Sequence, residues 1–525
     1  MKIFKVDAPV LILLLAAASL MTAFPARVFE CDAVIYACAG VHGDTVQNTD
    51  AGHLAWGGLE LLAAGAGRSV HPPWSPIHLL RWLSMAAALG CAWLVYRVLA
   101  CRLGIDPVRA ALITGLSLFS YSFWHFALQA EPHAPHALFL AVFLVAGASL
   151  LSHPNPARGA ATGLALGAAT LLHQTSIILF PGVLLALWFT PGDGRTRLRS
   201  GTGFAGVYVL TAIAPYLAVG WFVRDLRTVP EFREWILGIS TWGYWGNWRP
   251  TSLLAAAVGI VRSFVGSHYL LGVGGIGDLA RRLFPAASWE DELMLAAAVP
   301  GWSRIVLIPV QAAVLGGMIV VMGRGIPRLR QVWGGRRALG LLLVYWLAVH
   351  LLFFTWWAPE RAEFWIGFWL PLIVLLGPGI AAAGVGRRTL ALLPAGLVLV
   401  NLLGSIAPQS VDLEPGTAAA VAIDPVARAG DVLLTDVPLG QRAGRFVYAL
   451  DMVRVPADTA RVVALVDSLL TETERRGNTL FWVGWRPSVP PGVLAAAGAG
   501  KVVAVRAPVT VLPLIRAVGR RGPDG

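Results

Sequence analysis

The feature that most limits how this chain can fold is a series of long apolar blocks separated by short polar loops. Eleven blocks are suited to cross a membrane as helices, which takes about 20 apolar residues and fewer in tightly packed bundles. They begin near Ala8, Ser75, Ala110, His133, Gly159, Thr175, Gly201, Ser303, Ala338, Phe364 and Thr389. We therefore predict a polytopic α-helical membrane protein with about 11 transmembrane helices.

The low content of charged residues supports this prediction. Only 13% of the 525 residues are charged and 57% are apolar, whereas a soluble chain carries about 25% charged residues. So few charges cannot cover a water-facing surface of this size, which excludes a soluble enzyme, a disordered protein and a disulfide scaffold. Cys31 and Cys38 could pair outside the membrane, but separate thiols are the favoured interpretation.

The arginines predict the orientation of the helices. Of the 41 basic residues, 38 are arginine, and many lie in short loops on one side of the apolar blocks. These loops lie at 97–109, 158, 195–199, 324–337 and 387–388. Because cytoplasmic loops carry such an excess, we expect a cytoplasmic N-terminus, a retained first span at 8–24 and an extracytoplasmic C-terminal region. The positive charge then orients the chain rather than binding nucleic acid, and the Arg-, Ala- and Gly-rich composition favours a bacterial inner membrane.

Two outer loops and a C-terminal domain complete the predicted organisation. The membrane domain covers 1–406, with outer loops at 25–74 and 222–302. The segment 251–271 is apolar, but counting it as a span would place the following five-arginine loop outside, so we predict an interfacial helix. Residues 407–525 are predicted to form a small extracytoplasmic α/β domain. Its expected strands are 430–436, 479–485 and 501–506, and its expected helix is 457–470.

The residues best suited to chemistry lie at the predicted outer ends of helices. They occupy the segments 29–36, 123–133, 173–174 and 356–365. Taken singly, these groups have ordinary explanations: a solvated carboxylate, a helix cap or an interfacial belt of aromatic residues. Their shared position on one side of the membrane indicates a site at the outer interface.

The chain resembles the GT-C superfamily of polyprenyl-phosphate-sugar-dependent glycosyltransferases, especially its protein O-mannosyltransferase-like branch. The resemblance rests on Glu30-Cys31-Asp32 with Tyr36, on His71-Pro72-Pro73-Trp74-Ser75-Pro76, and on the segments 123–131, 173–175 and 357–365. It covers roughly residues 1–190 and 340–385. In the related pattern the His-Pro-Pro element follows the acidic residue sooner. Here 39 positions separate Asp32 from His71, which indicates an insertion in the first outer loop.

The resemblance implies sugar transfer from a polyprenyl-phosphate carrier to a hydroxyl of a protein, lipid or glycan acceptor, at the extracytoplasmic face. In this interpretation Asp32 is the general base, which contributes roughly 10²–10⁴-fold in rate, and Glu30 is the alternative carboxylate. Glu131 would orient the acceptor or stabilise positive charge on the sugar carbon. The residues assigned to the donor are His71, His173, Gln174, Arg361, Trp124 and Trp357. Arg361 would bind the leaving phosphate, the histidines and Gln174 would contact phosphate or sugar, and the tryptophans would stack on the sugar or flank the lipid entry.

No sequence motif indicates a metal site or another cofactor. The acidic run at 289–292 is interpreted as a solvated loop, and a divalent cation is left open. The alternative function is a secondary transporter or lipid flippase, and a membrane-anchored scaffold is the third. Transporters tend to carry inverted repeats and polar groups near mid-membrane, and the sequence offers no clear example of either.

Overall fold

The computed structural model of the chain describes residues 7–27, 30–69, 76–238, 246–284 and 290–410. In the C-terminal region it describes 432–435, 451–454, 459–476, 479–484, 498–499, 504–506 and 509–515.

The first part of the chain is a succession of helices. They are α1 (Ala8–Ala23), α2 (Cys31–His42), α3 (Thr45–Asn48), α4 (Leu54–Ser69), α5 (Pro76–Arg97), α6 (Pro107–Leu118), α7 (Tyr121–Ala127), α8 (His133–Ser152), α9 (Pro156–Leu172), α10 (Phe180–Trp188), α11 (Gly194–Tyr208), α12 (Ala214–Phe222) and α13 (Val229–Leu237). Local sequence explains several boundaries: α6 and α9 begin at a proline, and Asp106 and Asn155 accept hydrogen bonds from the exposed N–H groups there. A 3₁₀-helix at Gln174–Leu179 leads into α10.

The remaining helices follow the same pattern. They are α14 (Ser252–Phe264), α15 (His268–Leu271), α16 (Ile276–Leu283), α17 (Glu290–Ala298), α18 (Gly301–Gly325), α19 (Leu329–Trp333), α20 (Arg337–Trp357), α21 (Ile366–Ala382), α22 (Arg387–Asn401), α23 (Ala407–Gln409) and α24 (Thr459–Arg476). A 3₁₀-helix at Ala362–Trp365 precedes α21. The interpretation of the acidic run at 289–292 as a solvated loop is wrong in part. Its last residues begin α17, and the Glu292 carboxylate accepts a hydrogen bond from Arg262 at 2.9 Å.

Each of the eleven predicted spans coincides with helical structure. Six helical segments of the described residues are long and apolar enough to cross a membrane, and one of them, Gly301–Trp357, contains both α18 and α20. The chain is an integral membrane protein, and the number of spans stays a prediction. The core between these helices is apolar and tightly filled. Leu140 and Phe143 of α8, Trp346 of α20 and Leu370 of α21 are fully buried in it.

Helices α9 and α11 approach each other along a row of glycines. A Cβ atom at Gly159 or Gly163 would overlap the main-chain oxygen of Ser200 or Phe204, and one at Gly167 would overlap the Thr211 side chain. Small residues at this spacing let two helix backbones approach closely in a membrane. We call these three residues the glycine row.

We expect Gly163→Ala to destabilise the protein, because the added methyl group must push α11 away from α9. Overpacking of this kind costs typically about 1–3 kcal/mol. A lower thermal unfolding midpoint in detergent would show it. Gly206→Ala on α11 is the matched control, since a Cβ there meets no atom within 4 Å. Equal effects of the two substitutions would contradict a close α9–α11 contact.

The described strands of the C-terminal region form one mixed sheet. They are β1 (Val432–Thr435), β2 (Asp451–Arg454), β3 (Leu480–Gly484), β4 (Gly498–Ala499), β5 (Ala504–Arg506) and β6 (Val509–Ile515). β1 runs parallel to β2 and β3, whereas β6 is antiparallel to β3, β4 and β5. β1, β3 and β5 lie inside the three predicted strand segments. The predicted helix begins at the expected place, but α24 continues to Arg476.

Candidate active site

Four parts of the chain meet at one end of the helix bundle. They are the start of α2, the turn between α7 and α8, the 3₁₀-helix after α9 and the corner at 358–363 between α20 and α21. Charges on Asp32, Glu30, Glu363 and Arg361 all act on the buried carboxyl of Glu131, and the His173 ring lies 6.0 Å from that of Phe364. The four polar segments that the sequence singled out therefore lie together.

Glu30 is held by the α7 region. Its carboxylate lies 3.1 Å from Nε2 of His125, and its main-chain N–H donates to the Gln129 side chain, also over 3.1 Å. Nδ1 of His125 in turn lies 2.7 Å from the side-chain oxygen of Gln409, at the end of α23. His125 is buried. Glu30 is therefore held by the α7 region, and Gln409 supports this contact by positioning His125.

Glu131 is a buried carboxyl in a negatively charged surrounding. Burial raises its pKa well above the ordinary value, and Asp32, Glu30 and Glu363 raise it further, while Arg361 opposes them. Oε2 of Glu131 lies 3.4 Å from Nε2 of His133. A carboxyl with a raised pKa keeps its proton at higher pH and can then donate a hydrogen bond. Glu131 is thus suited to bind a hydroxyl or a phosphate oxygen.

Asp32 lies in the first turn of α2 and is exposed. One turn later, the buried Tyr36 ring lies on the same helix. Burial raises the pKa of the Tyr36 hydroxyl well above the ordinary value, and the charge of Asp32 is the next largest cause. Asp32 is therefore a solvent-accessible carboxylate beside buried polar groups, which is the position that a base acting on an incoming hydroxyl needs.

Behind α2, Glu60 of α4 is a second buried carboxyl. It is only 1% exposed, and its Oε2 has no hydrogen-bond partner among the described residues. Burial, reinforced by Asp50, raises the pKa of Glu60 to about 9. The α2 and α4 backbones touch here, since a Cβ at Gly40 would lie 2.6 Å from the Glu60 main-chain oxygen. The insertion in the first outer loop is thus a packed layer.

The pKa of Glu60 predicts how stability depends on pH. The folded state binds this proton more tightly than the unfolded state, whose pKa is near 4.5. The stabilisation is therefore complete below about pH 4.5 and is lost as the pH rises through about 9. We expect the unfolding midpoint of the wild type to fall more steeply between pH 5 and 9 than that of Glu60→Gln. Parallel pH profiles would contradict a buried, protonated Glu60.

Four histidines pack beside the carboxylates. The His173 ring centroid lies 4.8 Å from that of His53, 5.1 Å from that of His136 and 5.8 Å from that of His133. His173 also hydrogen-bonds to Thr175 over 2.7 Å. Burial and the neighbouring histidines lower the pKa of His173 well below the ordinary value. A neutral imidazole can donate or accept a hydrogen bond, which suits a sugar hydroxyl.

Arg361 lies at the corner between α20 and α21. Its main-chain N–H donates to the oxygen of Ala358 over 3.2 Å, and Trp365 donates to the oxygen of Pro359 over 3.0 Å. The guanidinium lies 3.8 Å from the Glu363 carboxylate and is 46% exposed. Glu363 is the largest cause that raises the pKa of Arg361. A rigid corner thus holds a permanent cation at the edge of the acidic cluster.

The other predicted donor residues lie in three different settings. Trp124 is fully buried in the core, 5.5 Å from the Phe119 ring. Trp357 lines a cavity of about 410 Å³ together with Arg249 and Glu360. Gln174 is half-buried at the start of the 3₁₀-helix, and His71 lies outside the described residues.

No group of three or more His, Cys, Asp or Glu side chains is arranged to hold a metal ion within the described ranges. The rings of the four histidines are close, but several of their nitrogens are already engaged. Nδ1 of His53 bonds to the Leu172 oxygen, and Nε2 of His136 bonds to Ser176. The arrangement is suited to hydrogen bonding.

Solved membrane proteins share this architecture. ArnT from Cupriavidus metallidurans matches 96% of this chain over 97% of its own length at 15% identity. Its TM-score is 0.56 when bound to undecaprenyl phosphate and 0.54 in the apo state. The apo oligosaccharyltransferase of Archaeoglobus fulgidus matches 91% of this chain over 69% of its own, with a TM-score of 0.50 and 12% identity. Both are members of the GT-C superfamily. The chain has the GT-C fold. No protein-family model and no curated protein matches the sequence.

The shared fold agrees with the resemblance to the GT-C superfamily, and the O-mannosyltransferase-like branch stays a prediction. Several site residues were missed from the sequence. His125 and Glu363 lie inside two segments, 123–133 and 356–365, that the sequence analysis assigned to the site. Their position in these segments could therefore have identified them as site residues. His53 and Gln409 carry no motif, and only the folding of distant segments brings them to the site.

Proposed function

We propose that the chain is an integral-membrane glycosyltransferase that moves a sugar from a polyprenyl-phosphate carrier to an acceptor hydroxyl. The observation that carries the proposal is the meeting of Asp32, Glu30 and Glu131 with Arg361 at one end of the bundle. Sugar transfer needs a base for the acceptor and a cation for the departing phosphate, and this cluster offers both. ArnT, which shares the GT-C fold, binds undecaprenyl phosphate, which supports a carrier of this class.

The reaction can be written for these residues. The acceptor O–H loses its proton to Asp32, with Glu30 as the alternative base, and the acceptor oxygen bonds to the anomeric carbon of the sugar. The bond from that carbon to the phosphate oxygen breaks, and the phosphate keeps the electron pair. Arg361 stabilises the departing negative charge through a planar, charged fork. A protonated Glu131 orients the acceptor through a hydrogen bond, whereas the alternative role, stabilising positive charge on the sugar carbon, needs its ionised form.

We assign His173 and Gln174, with His71, to the phosphate or sugar, and we assign Trp357 either to stacking on the sugar or to flanking the lipid entry. The same role was predicted for Trp124, but its side chain is fully buried in the core, so contact with the sugar or the lipid would require the side chain to become exposed. The neutral His173 imidazole and its neighbour His53 fit sugar hydroxyls. Proximity supplies the rest of the acceleration, because holding donor and acceptor in place removes much of the entropic cost of their meeting.

The proposed function includes a proposed membrane topology. We place the site on the extracytoplasmic side, with about 11 spans, a cytoplasmic N-terminus and a bacterial inner membrane as the location. The described sheet and α24 would then form an extracytoplasmic α/β domain. The arginine-rich loops favour this orientation. We also retain the O-mannosyltransferase-like branch, with the acceptor a protein, lipid or glycan hydroxyl.

The proposal can be tested with purified protein in lipid nanodiscs. The protein is incubated with polyprenyl-phosphate hexoses radiolabelled in the sugar and with a bacterial membrane extract that supplies acceptor hydroxyls, and release of the polyprenyl phosphate is followed together with transfer of the label. We expect the sugar–phosphate bond to break in the wild type and to stay intact in Asp32→Asn/Glu30→Gln. In proteoliposomes, movement of intact donor across the bilayer without cleavage would instead identify a flippase.

A further inference from the structure

A second cavity lies at the opposite end of the bundle from the candidate active site. Its volume is about 540 Å³, and the ends of α5, α8 and α10 and the start of α20 enclose it. Its polar lining includes Arg102, His153, Arg336 and Arg337. We call this cavity the arginine pocket.

Two helices connect the arginine pocket to the active site. α8 begins at His133 in the site and ends at Ser152 in the pocket, and α20 begins at Arg337 in the pocket and ends at Trp357 beside the site. At a rise of 1.5 Å per residue, each helix separates the two places by about 30 Å. The pocket is therefore not an extension of the active site.

The charges around the arginine pocket are unbalanced. No aspartate or glutamate is among its lining residues, and within the described parts of the chain neither Arg102, Arg336 nor Arg337 forms an ion pair. Arg336 and Arg337 also lie at the start of α20, directly after the 3₁₀ turn Gly334–Arg336, and no side chain caps the helix there. A helix N-terminus carries partial positive charge. These contributions all favour an anion.

Part of the lining of the arginine pocket is apolar. Leu103, Leu151, Phe189 and Leu339 lie among the polar lining residues. A ligand that matches both parts has a negative head and a hydrocarbon chain. The pocket also lies at the arginine-rich end, which the sequence places in the cytoplasm, and anionic lipid headgroups bind basic pockets between transmembrane helices on that side.

We propose that the arginine pocket binds the phosphate headgroup of an anionic membrane lipid, with its acyl chains along the apolar wall. Arg336 and Arg337 contact the phosphate, and Arg102 contacts it from the π-helix Val98–Arg102 that follows α5. The bound lipid joins the ends of α5, α8, α10 and α20 and stabilises the bundle at the end opposite the active site. This site does not depend on the proposed sugar transfer.

Cys101 provides a reporter for the test, because it is exposed and lines the pocket. Purified protein in neutral detergent is treated with a maleimide after addition of phosphatidylglycerol, phosphatidylcholine or inorganic phosphate. Cys101→Ala gives the background from the other cysteines. We expect phosphatidylglycerol to slow the labelling of Cys101 several-fold and to raise the unfolding temperature, and the other two additions to do neither.

A matched pair of variants distinguishes lipid binding in the arginine pocket from a general attraction of anionic lipid to positive charge at this end of the protein. Arg336→Gln/Arg337→Gln should raise the phosphatidylglycerol concentration needed for half the effect by about tenfold or more. Arg324→Gln/Arg328→Gln removes the same charge from exposed residues at the same end, outside the pocket, and should leave it nearly unchanged. Equal losses in both variants, or equal protection by phosphatidylcholine, would overturn the proposal. Equal protection by inorganic phosphate would show a soluble-anion site instead.

Discussion

Asp32→Asn is expected to lower the rate of sugar transfer by about 10²–10⁴-fold, the range that a general base contributes. The amide keeps the size and position of the side chain but cannot take a proton. Because Asp32 is exposed in the first turn of α2, the change should leave the fold and the affinity for the donor nearly unaltered. Initial rates with a labelled donor, together with a direct measurement of donor binding, separate these two effects.

Two further variants make the test of Asp32 specific. Asp44→Asn is the matched control, because Asp44 is an exposed aspartate of the same loop that caps α3, and asparagine caps a helix equally well. Glu30→Gln tests the alternative base. Glu30 is already engaged by His125 and Gln129, so we expect a smaller loss. Full turnover in Asp32→Asn with none in Glu30→Gln would move the role to Glu30.

Arg361→Ala is expected to lower kcat/KM by about 10- to 100-fold, since hydrogen bonds to charged groups are worth about 1.5–3 kcal/mol. Arg361→Lys should recover part of the loss, because it keeps the charge but not the planar fork that matches a phosphate. Steady-state rates over a range of donor concentrations measure both. Arg233→Ala is the control, an exposed arginine of the second outer loop.

The ion pair with Glu363 needs its own control. Removing Arg361 leaves the Glu363 carboxylate without the cation that lies 3.8 Å away, and this alone could disturb the site. Arg361→Ala/Glu363→Gln removes both charges. If Arg361 acts on the donor phosphate, the double variant stays as slow as Arg361→Ala. Recovery of activity in the double variant would show that Arg361 only neutralises Glu363.

The helices could be predicted from the sequence because each apolar block specifies its own structure. A membrane helix satisfies its backbone hydrogen bonds internally, so its position depends on local composition. The strands were harder. β6 was missed, and it contains Pro513, which pairs with Phe481 of β3. Proline within an apolar run weakens the case for a strand, and only the pairing with β3 shows that this run is one.

The site was predictable where its residues flank apolar blocks. Four of the site residues lie at the end of a helix or in a turn: Glu30, Asp32, Glu131 and Arg361. Their predicted position on the same side of the membrane was enough to group them into one site. The partners of these residues come from the fold. His125 lies 284 positions from Gln409, to which it is hydrogen-bonded. No spacing in the sequence indicates such a contact, because it depends on how the helices pack.

The glycine row has a consequence for how this protein can diverge. α9 ends at Leu172, immediately before His173, and its close backbone contact with α11 at the glycine row helps to fix its position. Lipid-facing residues directly after the partner helix, such as Leu210, which is 69% exposed, can therefore be exchanged without moving the imidazole. Related chains can adapt their surfaces to different bilayers while keeping His173 in the same position.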